Sequence, residues 1–418
     1  MLSALRNKNF CLLFLGLLTS HIGNSIFILA LFWYIQLKTD DARYLIILGF
    51  LTTIPTILGF LGGVLADKYD RKVIMMLSDF IRFISVILMV FLLTFYSFNF
   101  TYLAIMYLII NLGNFIFIPA SSAIIPDLVE EKDLIVSNGL IQSSGQFANI
   151  FGAVLSGVLL TLVEVRVLFL INAFTFIVSI LCVALLKTNK QGSRKESKTS
   201  NCLVKNKIIR GFNDFSEGLK YMYSYKILKI IIPGIFLINL FYVPFFTLGP
   251  AWSSKVLDMG SKGYSLMEFA IGAGVLTGSL TSKIFEKFFS FNRSIVISLI
   301  LMMTIVLFSF NPNIFTTVLS LYLFSVGLGL SNTLLFTMMH QHVKGEFRGR
   351  VFGSFFSIVG IAFPIGTTLF GALLTYLSIE SVFVISTSAL FISALYLLVS
   401  VRRFYIQEGA VNFQKENF

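Results

Sequence analysis

Acidic residues are scarce in this chain: 20 Asp and Glu stand against 32 Lys and Arg in 418 residues, and charged residues of both signs make up only 12%. Soluble domains carry about a quarter charged residues, so a soluble fold is excluded. Cysteine is rarer still. Cys11, Cys182 and Cys202 are too few and too widely spaced for a disulfide framework or a thiolate metal cluster. His340 and His342 stand two apart, a poor spacing for one helix face, and no Cys or carboxylate cluster joins them. Nothing reads as an enzyme site, and neither a metal nor a cofactor is expected. No Gly-x-x-x-x-Gly-Lys-Ser/Thr loop occurs, which argues against an ATP-driven pump. The alternation of polar and apolar residues over ~10-residue segments that marks a membrane β-barrel is missing as well.

What is present is apolar. Hydrophobic residues reach 56% and mean hydropathy is +0.88. Apolar runs of about 20 residues recur, each long enough to cross a ~30 Å hydrocarbon core as a helix. Bounded by charge, Pro and Gly, they give twelve spans. The first six run over 10–37, 44–66, 73–96, 100–122, 134–162 and 167–187. The second six run over 227–251, 264–283, 294–310, 313–340, 351–377 and 381–401. The opening run from Phe10 is too long for the apolar core of a signal peptide and lacks a small-residue cleavage pattern. It reads as a retained first span.

Basic charge sorts by side. Eleven Lys and Arg fall between Lys187 and Lys229, whereas Lys38, Arg43, Arg166, Lys255 and Lys262 are the ones on the opposite face. The positive-inside rule then places both termini in the cytoplasm of a multi-pass cell-membrane protein. The formal charge of +12 is a topology signal, and no nucleic-acid partner is expected. The fold expected is an all-α membrane protein, with twelve transmembrane helices in two pseudo-symmetric six-helix bundles. Residues 1–187 form the first bundle, 188–226 a cytoplasmic linker, 227–403 the second bundle and 404–418 a cytoplasmic tail. Within the linker, Phe215, Leu219 and Met222 recur at helical spacing, which predicts an amphipathic helix along the inner membrane surface. Trp33 and Trp252 fall at outer span ends, where aromatic rings favour the interface. The three cysteines lie near or beyond the cytoplasmic face and are expected to be reduced.

Two internal alignments support a repeat. A shift of 215 sets Gly63-Val64-Leu65-Ala66-Asp67-Lys68 over Gly278-Ser279-Leu280-Thr281-Ser282-Lys283, so the loop after span eight is a degenerate copy of the loop after span two. A shift of 214 sets Val129 over Val343 and Gly139 over Gly353. Two six-span bundles follow, as in repeat-built transporters.

Ionisable groups at membrane depth are expensive and so are functional candidates. Asp79 and Arg82 stand three apart in span three, on one helix face and able to pair. They read either as a structural ion pair or as a site where Arg82 meets a substrate carboxylate and the pair takes part in proton coupling. His21, near the middle of span one with Asn24 one turn on, reads as a coupling or substrate-binding group or as a satisfied buried histidine. Glu268 lies about one turn from the outer end of span eight, where it either snorkels outward or carries a coupling proton. A layer of amides joins these: Asn111, Asn114, Gln142, Gln146, Asn149, Asn239 and Asn332. Gln142, Gln146 and Asn149 share one helix face. Together the amides suggest a polar cavity between the halves, with helix-helix hydrogen bonding the alternative for each.

The run Gly63-Val64-Leu65-Ala66-Asp67-Lys68-Tyr69-Asp70-Arg71-Lys72 resembles the loop after the second span in the major facilitator superfamily. Gly63, Leu65, Ala66, Asp67, Arg71 and Lys72 fit that pattern, while Asp70 stands where Gly is usual. Asp79-Phe80-Ile81-Arg82, the stretch from Gly211 to Leu228, and Gly349-Arg350-Val351-Phe352-Gly353 are similar to the exporter branch that holds macrolide-efflux proteins and the enterobactin exporter. In its length and opening residues the chain also resembles siderophore exporters of low-GC Gram-positive bacteria. The resemblance implies gating roles for Gly63, Asp67 and Arg71, and for Gly349 and Arg350 at the start of span eleven, where a carboxylate would gain from the helix dipole. One departure is Ala148-Asn149-Ile150-Phe151-Gly152-Ala153, where many proton-coupled exporters carry Gly-Pro. The expected activity is secondary export of a small organic molecule by alternating access, driven by the proton gradient. A carboxylate siderophore is the first substrate class and macrolide or multidrug efflux the second. A monomer in the lipid bilayer is expected, and a non-transporting sensor or enzyme is the remaining alternative.

Overall fold

Short polar side chains open several of the long helices by accepting the first free backbone N–H groups. Asn7 accepts from Asn9 and Phe10 and starts α1, Lys8–Thr39. Asp70 accepts from Lys72 and Val73 and starts α3, Arg71–Phe95. Its place where the family pattern has Gly is thereby explained locally. Asn99 starts α4, Phe100–Ile124, and Asn313 forms a reciprocal cap with Thr316 at the start of α10, Ile314–His342. The remaining long helices are α2 (Ala42–Ile57), α5 (Leu134–Leu162), α6 (Val165–Ala184), α7 (Lys226–Thr247), α9 (Gly260–Met303), α11 (Gly345–Leu373) and α12 (Ile379–Lys415). A short helix α8, Gly249–Lys255, follows α7. The computed structural model describes residues 7–57, 69–130, 133–187, 216–310, 312–343 and 345–415.

The chain divides into two compact units, residues 1–206 and 207–418. In the first, α1 packs against α5 and α6, and α3 against α4 and α6. In the second, α9 packs mainly on α10, and α7 on α11 and α12. Among the described residues, ten helices are long and apolar enough to cross a membrane, and the helix beginning at Ala42 is a shorter apolar one. Expected span two runs on into 58–68, which lie outside the described residues.

Helix α3 shows which solvent these helices were built for. Val73, Leu77, Phe80, Ile84, Leu88 and Phe91 are exposed, at intervals of three and four residues. Its opposite face buries Ser78, Asp79, Arg82 and Ser85. Apolar side chains outside and charges inside reverse the pattern of a soluble helix and suit lipid on the outer face.

Three expectations are corrected. Span seven was expected as one run to Ala251, but it breaks at Leu248. Pro250 stands in the first turn of α8, where its missing N–H is harmless and its fixed φ starts a new helix. The stretch after span eight was expected as a loop, yet α9 is helical throughout, Lys283 to Arg293 included. A straight helix of 44 residues would run about 66 Å. Instead, a Cβ on Gly278 would strike the Val326 carbonyl, and a Cβ on the adjoining Gly327 would strike the Ser298 carbonyl. Residues 278 and 298 therefore flank one turn of α10, and α9 doubles back as two arms. Finally, both tryptophans, expected to present their rings to the membrane interface, are covered by protein instead. Trp33 is 7% exposed and Trp252 1%, because Trp252 lies among the rings of Phe308 and Phe383 at 4.6 and 4.7 Å.

The Gly278 crossing gives a packing prediction. Besides the Val326 carbonyl, its Cβ would meet Leu330 N at 2.8 Å, and backbone cannot swing away. Gly278→Ala should destabilise the protein by about 1–3 kcal/mol through overpacking, seen as a lower unfolding midpoint of the purified protein in detergent. Gly139, with open space at its Cβ, is the control, and its Ala variant should be neutral or slightly stabilising.

The linker helix is observed over 216–224. Its apolar face turns to protein: Met222 is fully buried in a cluster with Leu228, Val343, Val351 and Val401. The tail beyond Phe404 continues in α12 to Lys415.

Candidate functional site

Arg82 and Asp79 meet as their spacing requires. Arg82 Nη1 donates to Asp79 Oδ1 at 2.7 Å, with both side chains shielded from solvent. The guanidinium lies over the Phe176 ring at 4.1 Å and near Phe117 at 5.7 Å, a cation–π arrangement suited to a dry site. Gly113 of α4 makes room for it. A Cβ on Gly113 would fall 2.7 Å from Arg82 Cγ, so α4 passes α3 closely there. Ser179 of α6 stands beside the Asp79 carboxylate. One carboxylate oxygen cannot satisfy a five-donor guanidinium, and among the described residues Arg82 Nε and Nη2 have no hydrogen-bond acceptor.

His21 of α1 lies within electrostatic reach of Arg82 and is half-buried. One turn further, Asn24 is half-buried too. A Cβ on Gly23 would meet Asn172 Oδ1 at 2.8 Å, so α1 and α6 touch at this level. Asn172 is fully buried and was not singled out from the sequence. The same holds for Ser179 and for Tyr107, which is 1% exposed and packs its ring 6.3 Å from that of Phe27. Asn111 donates to the Tyr107 carbonyl at 2.9 Å within α4, so part of its capacity is local, and Asn114 is half-buried. Gln142, Gln146 and Asn149 lie on the backbone of α5, and their side chains fall outside the described residues.

The candidate gating residues divide. Gly63 and Asp67 lie outside the described residues. Arg71 Nη1 donates to Asp127 Oδ2 and to the Ala123 carbonyl, each at 2.7 Å, so it ties the start of α3 to the end of α4. Asp127 was not foreseen as its partner. Gly349 is in the first turns of α11. Arg350 pairs with Glu217 of the linker helix at 2.9 Å, and beside it Tyr221 stacks on Phe347 at 4.7 Å. The helix 216–224 therefore holds the start of α11.

In the second unit Glu268 does not reach outward: it is 9% exposed. It interacts with Tyr264, one turn earlier on α9, and with Tyr242 of α7. Tyr264 is fully buried, and Tyr242 stacks against Phe324 at 5.6 Å. No Lys, Arg or His forms an ion pair with Glu268 among the described residues. A separate cavity of about 80 Å³ lies within this unit and includes Asn239 and Asn332 in its wall. It is not the polar chamber expected from those amides. Most of its wall is Ile, Leu, Met and Val, and Asn239 donates to the Ile235 carbonyl at 2.9 Å. Among the described residues no group of His, Cys, Asp and Glu is arranged to hold a metal ion.

Polar groups buried inside a helix that is apolar outside, in a chain with ten membrane-length apolar helices among the described residues, are the arrangement of a membrane transporter. The pattern of the Major Facilitator Superfamily matches residues 13–367. The chain belongs to the major facilitator superfamily. As a member of that superfamily it is a multi-pass membrane transporter and not an enzyme. Macrolide efflux protein A of Streptococcus pyogenes is 25% identical over 358 residues, covering 85% of this chain and 86% of that protein. The putative bacilysin exporter BacE of Bacillus subtilis (strain 168) is 24% identical over 326 residues, covering 75% and 76%. Solved structures share the fold at low identity. The nucleoside transporter NupG superposes with a TM-score of 0.69 at 14% identity, over 94% of this chain and 99% of that one. A bacterial homologue of the iron transporter ferroportin gives 0.66 at 14%, over 94% and 98%.

Proposed function

We propose that this transporter exports a small polar or anionic organic molecule from the cell by alternating access, in exchange for protons. A carboxylate siderophore of the staphyloferrin B kind is the first substrate class. The observation that carries this reading is Arg82: a fully buried guanidinium that still has two nitrogens without an acceptor among the described residues. Planar donors in that arrangement match a carboxylate. His21, Asn24, Asn111 and Asn114, with Gln142, Gln146 and Asn149 on α5, are the proposed polar contacts around it, and Asn239 and Asn332 are the proposed contacts of the second unit. Asp79, His21 and Glu268 are the proposed proton carriers. Gly63, Asp67, Arg71, Gly349 and Arg350 are the proposed gating residues. We place both termini in the cytoplasm and read the working unit as a monomer.

Efflux of a macrolide or another antibiotic is the second reading, favoured by the relatives named macrolide efflux protein A and putative bacilysin exporter. One strain separates the two. In a deletion strain, extracellular siderophore under iron limitation and macrolide susceptibility are measured together, with complementation by wild type or Asp67→Asn at matched protein level. Siderophore secretion that is lost and returns only with wild type supports the first reading and a gating role for Asp67. Secretion that persists while macrolide sensitivity rises moves the cargo to the second.

A further inference from the structure

Pro250 decides what covers Tyr264. It has no N–H to offer the carbonyl four residues back, and its ring would clash there, so α7 stops at Thr247 and the chain restarts as α8. Ser253 fastens α8 to the start of α9: its hydroxyl donates to the Gly260 carbonyl at 2.6 Å, and its own carbonyl accepts from the Met259 N–H at 3.0 Å. The two helices come this close because residue 263 is glycine. A Cβ there would strike the Ser253 hydroxyl.

The fastened helix seats Gly249 on the Tyr264 ring. A Cβ at Gly249 would lie 3.2 and 3.5 Å from Cε2 and Cδ2 of that ring, and 3.8 Å from Met267 Cε. The ring is fully buried, so it has no open side to yield into. Helical side chains lean back towards the N-terminus, and the Glu268 carboxyl, one turn on, meets the Tyr264 hydroxyl in this way. Tyr242 of α7 also interacts with the carboxyl, but Tyr264 is the phenol within hydrogen-bonding reach of it. A phenol donates to a carboxylate and accepts from a carboxylic acid. Held by packing, it serves both protonation states without first being ordered.

We propose that Tyr264 is a positioning residue for Glu268: its ring, clamped under Gly249 by the fastening of α8 to α9, fixes the hydroxyl against the carboxyl in both protonation states. The proposal rests on the reading of Glu268 as a proton carrier and adds the parts that hold it: Pro250, Ser253, Gly263 and Gly249 set the ring, and the ring sets the hydroxyl.

Infrared difference spectra of the purified full-length protein, taken between acid and alkaline buffer, test it without any cargo. The C=O stretch of the protonated carboxyl is the band that disappears in Glu268→Gln. In Tyr264→Phe, which keeps the ring and loses the hydroxyl, that band should move to higher wavenumber, because a lost hydrogen bond stiffens the C=O bond. Gly249→Ala keeps the hydroxyl and displaces the ring, and should move or broaden the same band. A band unmoved in both variants overturns the proposal while leaving Glu268 as a proton carrier. No band missing in Glu268→Gln removes the carrier itself, and the proposal falls with it. Reconstituted vesicles give the functional counterpart, with labelled staphyloferrin B and labelled erythromycin as probes. Tyr264→Phe should slow export driven by a pH difference roughly tenfold more than exchange at equal pH, the lower end of what one hydrogen bond to a charged group is worth. An equal fall in both rates would place Tyr264 in cargo binding or packing and overturn the assignment.

Discussion

Arg82→Ala is expected to lower stability by about 3–5 kcal/mol, because it leaves the Asp79 carboxylate buried without its cation. Both partners are essentially inaccessible, at 1% and 0% exposure of their side chains, and joined at 2.7 Å. The exposed pairs elsewhere differ in kind. Arg166 and Glu164, 44% and 72% exposed, should cost about 0–1 kcal/mol when broken. The unfolding midpoint of purified protein in detergent gives the comparison directly, with Arg166→Ala as the reference. A second variant separates stability from transport. Asp79→Leu with Arg82→Met removes both charges and replaces them with side chains of comparable volume, a change that is often neutral or stabilising at a buried pair. The double variant should recover most of the lost stability and still fail to export, since no donor remains for an anionic cargo. If the double variant exports normally, the pair is structural only and Arg82 does not meet the substrate. If Arg82→Ala is as stable as wild type, the pair is not buried in the working protein.

Much of this arrangement was legible because membrane helices leave strong marks. Charge at intervals bounded the spans, and a three-residue spacing put Asp79 and Arg82 on one face of α3. Partners on other helices leave no such mark. Ser179, Asn172 and Gly113 are ordinary residues for an apolar helix, and their relations to Asp79, Gly23 and Arg82 respectively exist only once α4 and α6 are packed against α3 and α1. Asp127 was passed over because it stands in a short 3-10 turn after α4, where an acidic residue reads as a loop charge. Burial near span ends was hard to read for a related reason. Glu268 and Trp252 sit near span ends by count, where snorkelling and interfacial rings are the usual outcomes. Tertiary neighbours override the count: tyrosines cover the carboxyl and phenylalanines cover the indole. The turn within α9 escaped for the opposite reason. Lys283 to Arg293 carries the charge of a loop, and the backbone there is nevertheless helical while it reverses direction.

Glu268→Gln is expected to abolish export driven by a proton gradient while leaving the fold intact. The residue is buried beside Tyr264 and Tyr242, and the amide keeps the volume and the capacity to hydrogen-bond a hydroxyl. What it removes is the ability to take up and release a proton. A carboxyl with tyrosines for neighbours and no paired cation among the described residues is ionised only at a large desolvation cost while the site is dry, and far more easily when water reaches it. Its proton occupancy is therefore tied to access, which is the linkage an exchanger needs. Reconstituted vesicles with an imposed pH difference measure the coupled step, and exchange of labelled for unlabelled cargo at equal pH measures the uncoupled one. In Glu268→Gln the first should vanish and the second should persist at a substantial fraction of wild type. A variant that still concentrates cargo against the gradient would move proton coupling away from α9, to His21 or to the Asp79 and Arg82 pair. Loss of both activities with an unchanged unfolding midpoint would place Glu268 in cargo binding instead. Because Gln and Glu differ here by one proton and almost no volume, the two activities separate chemistry from packing at this position.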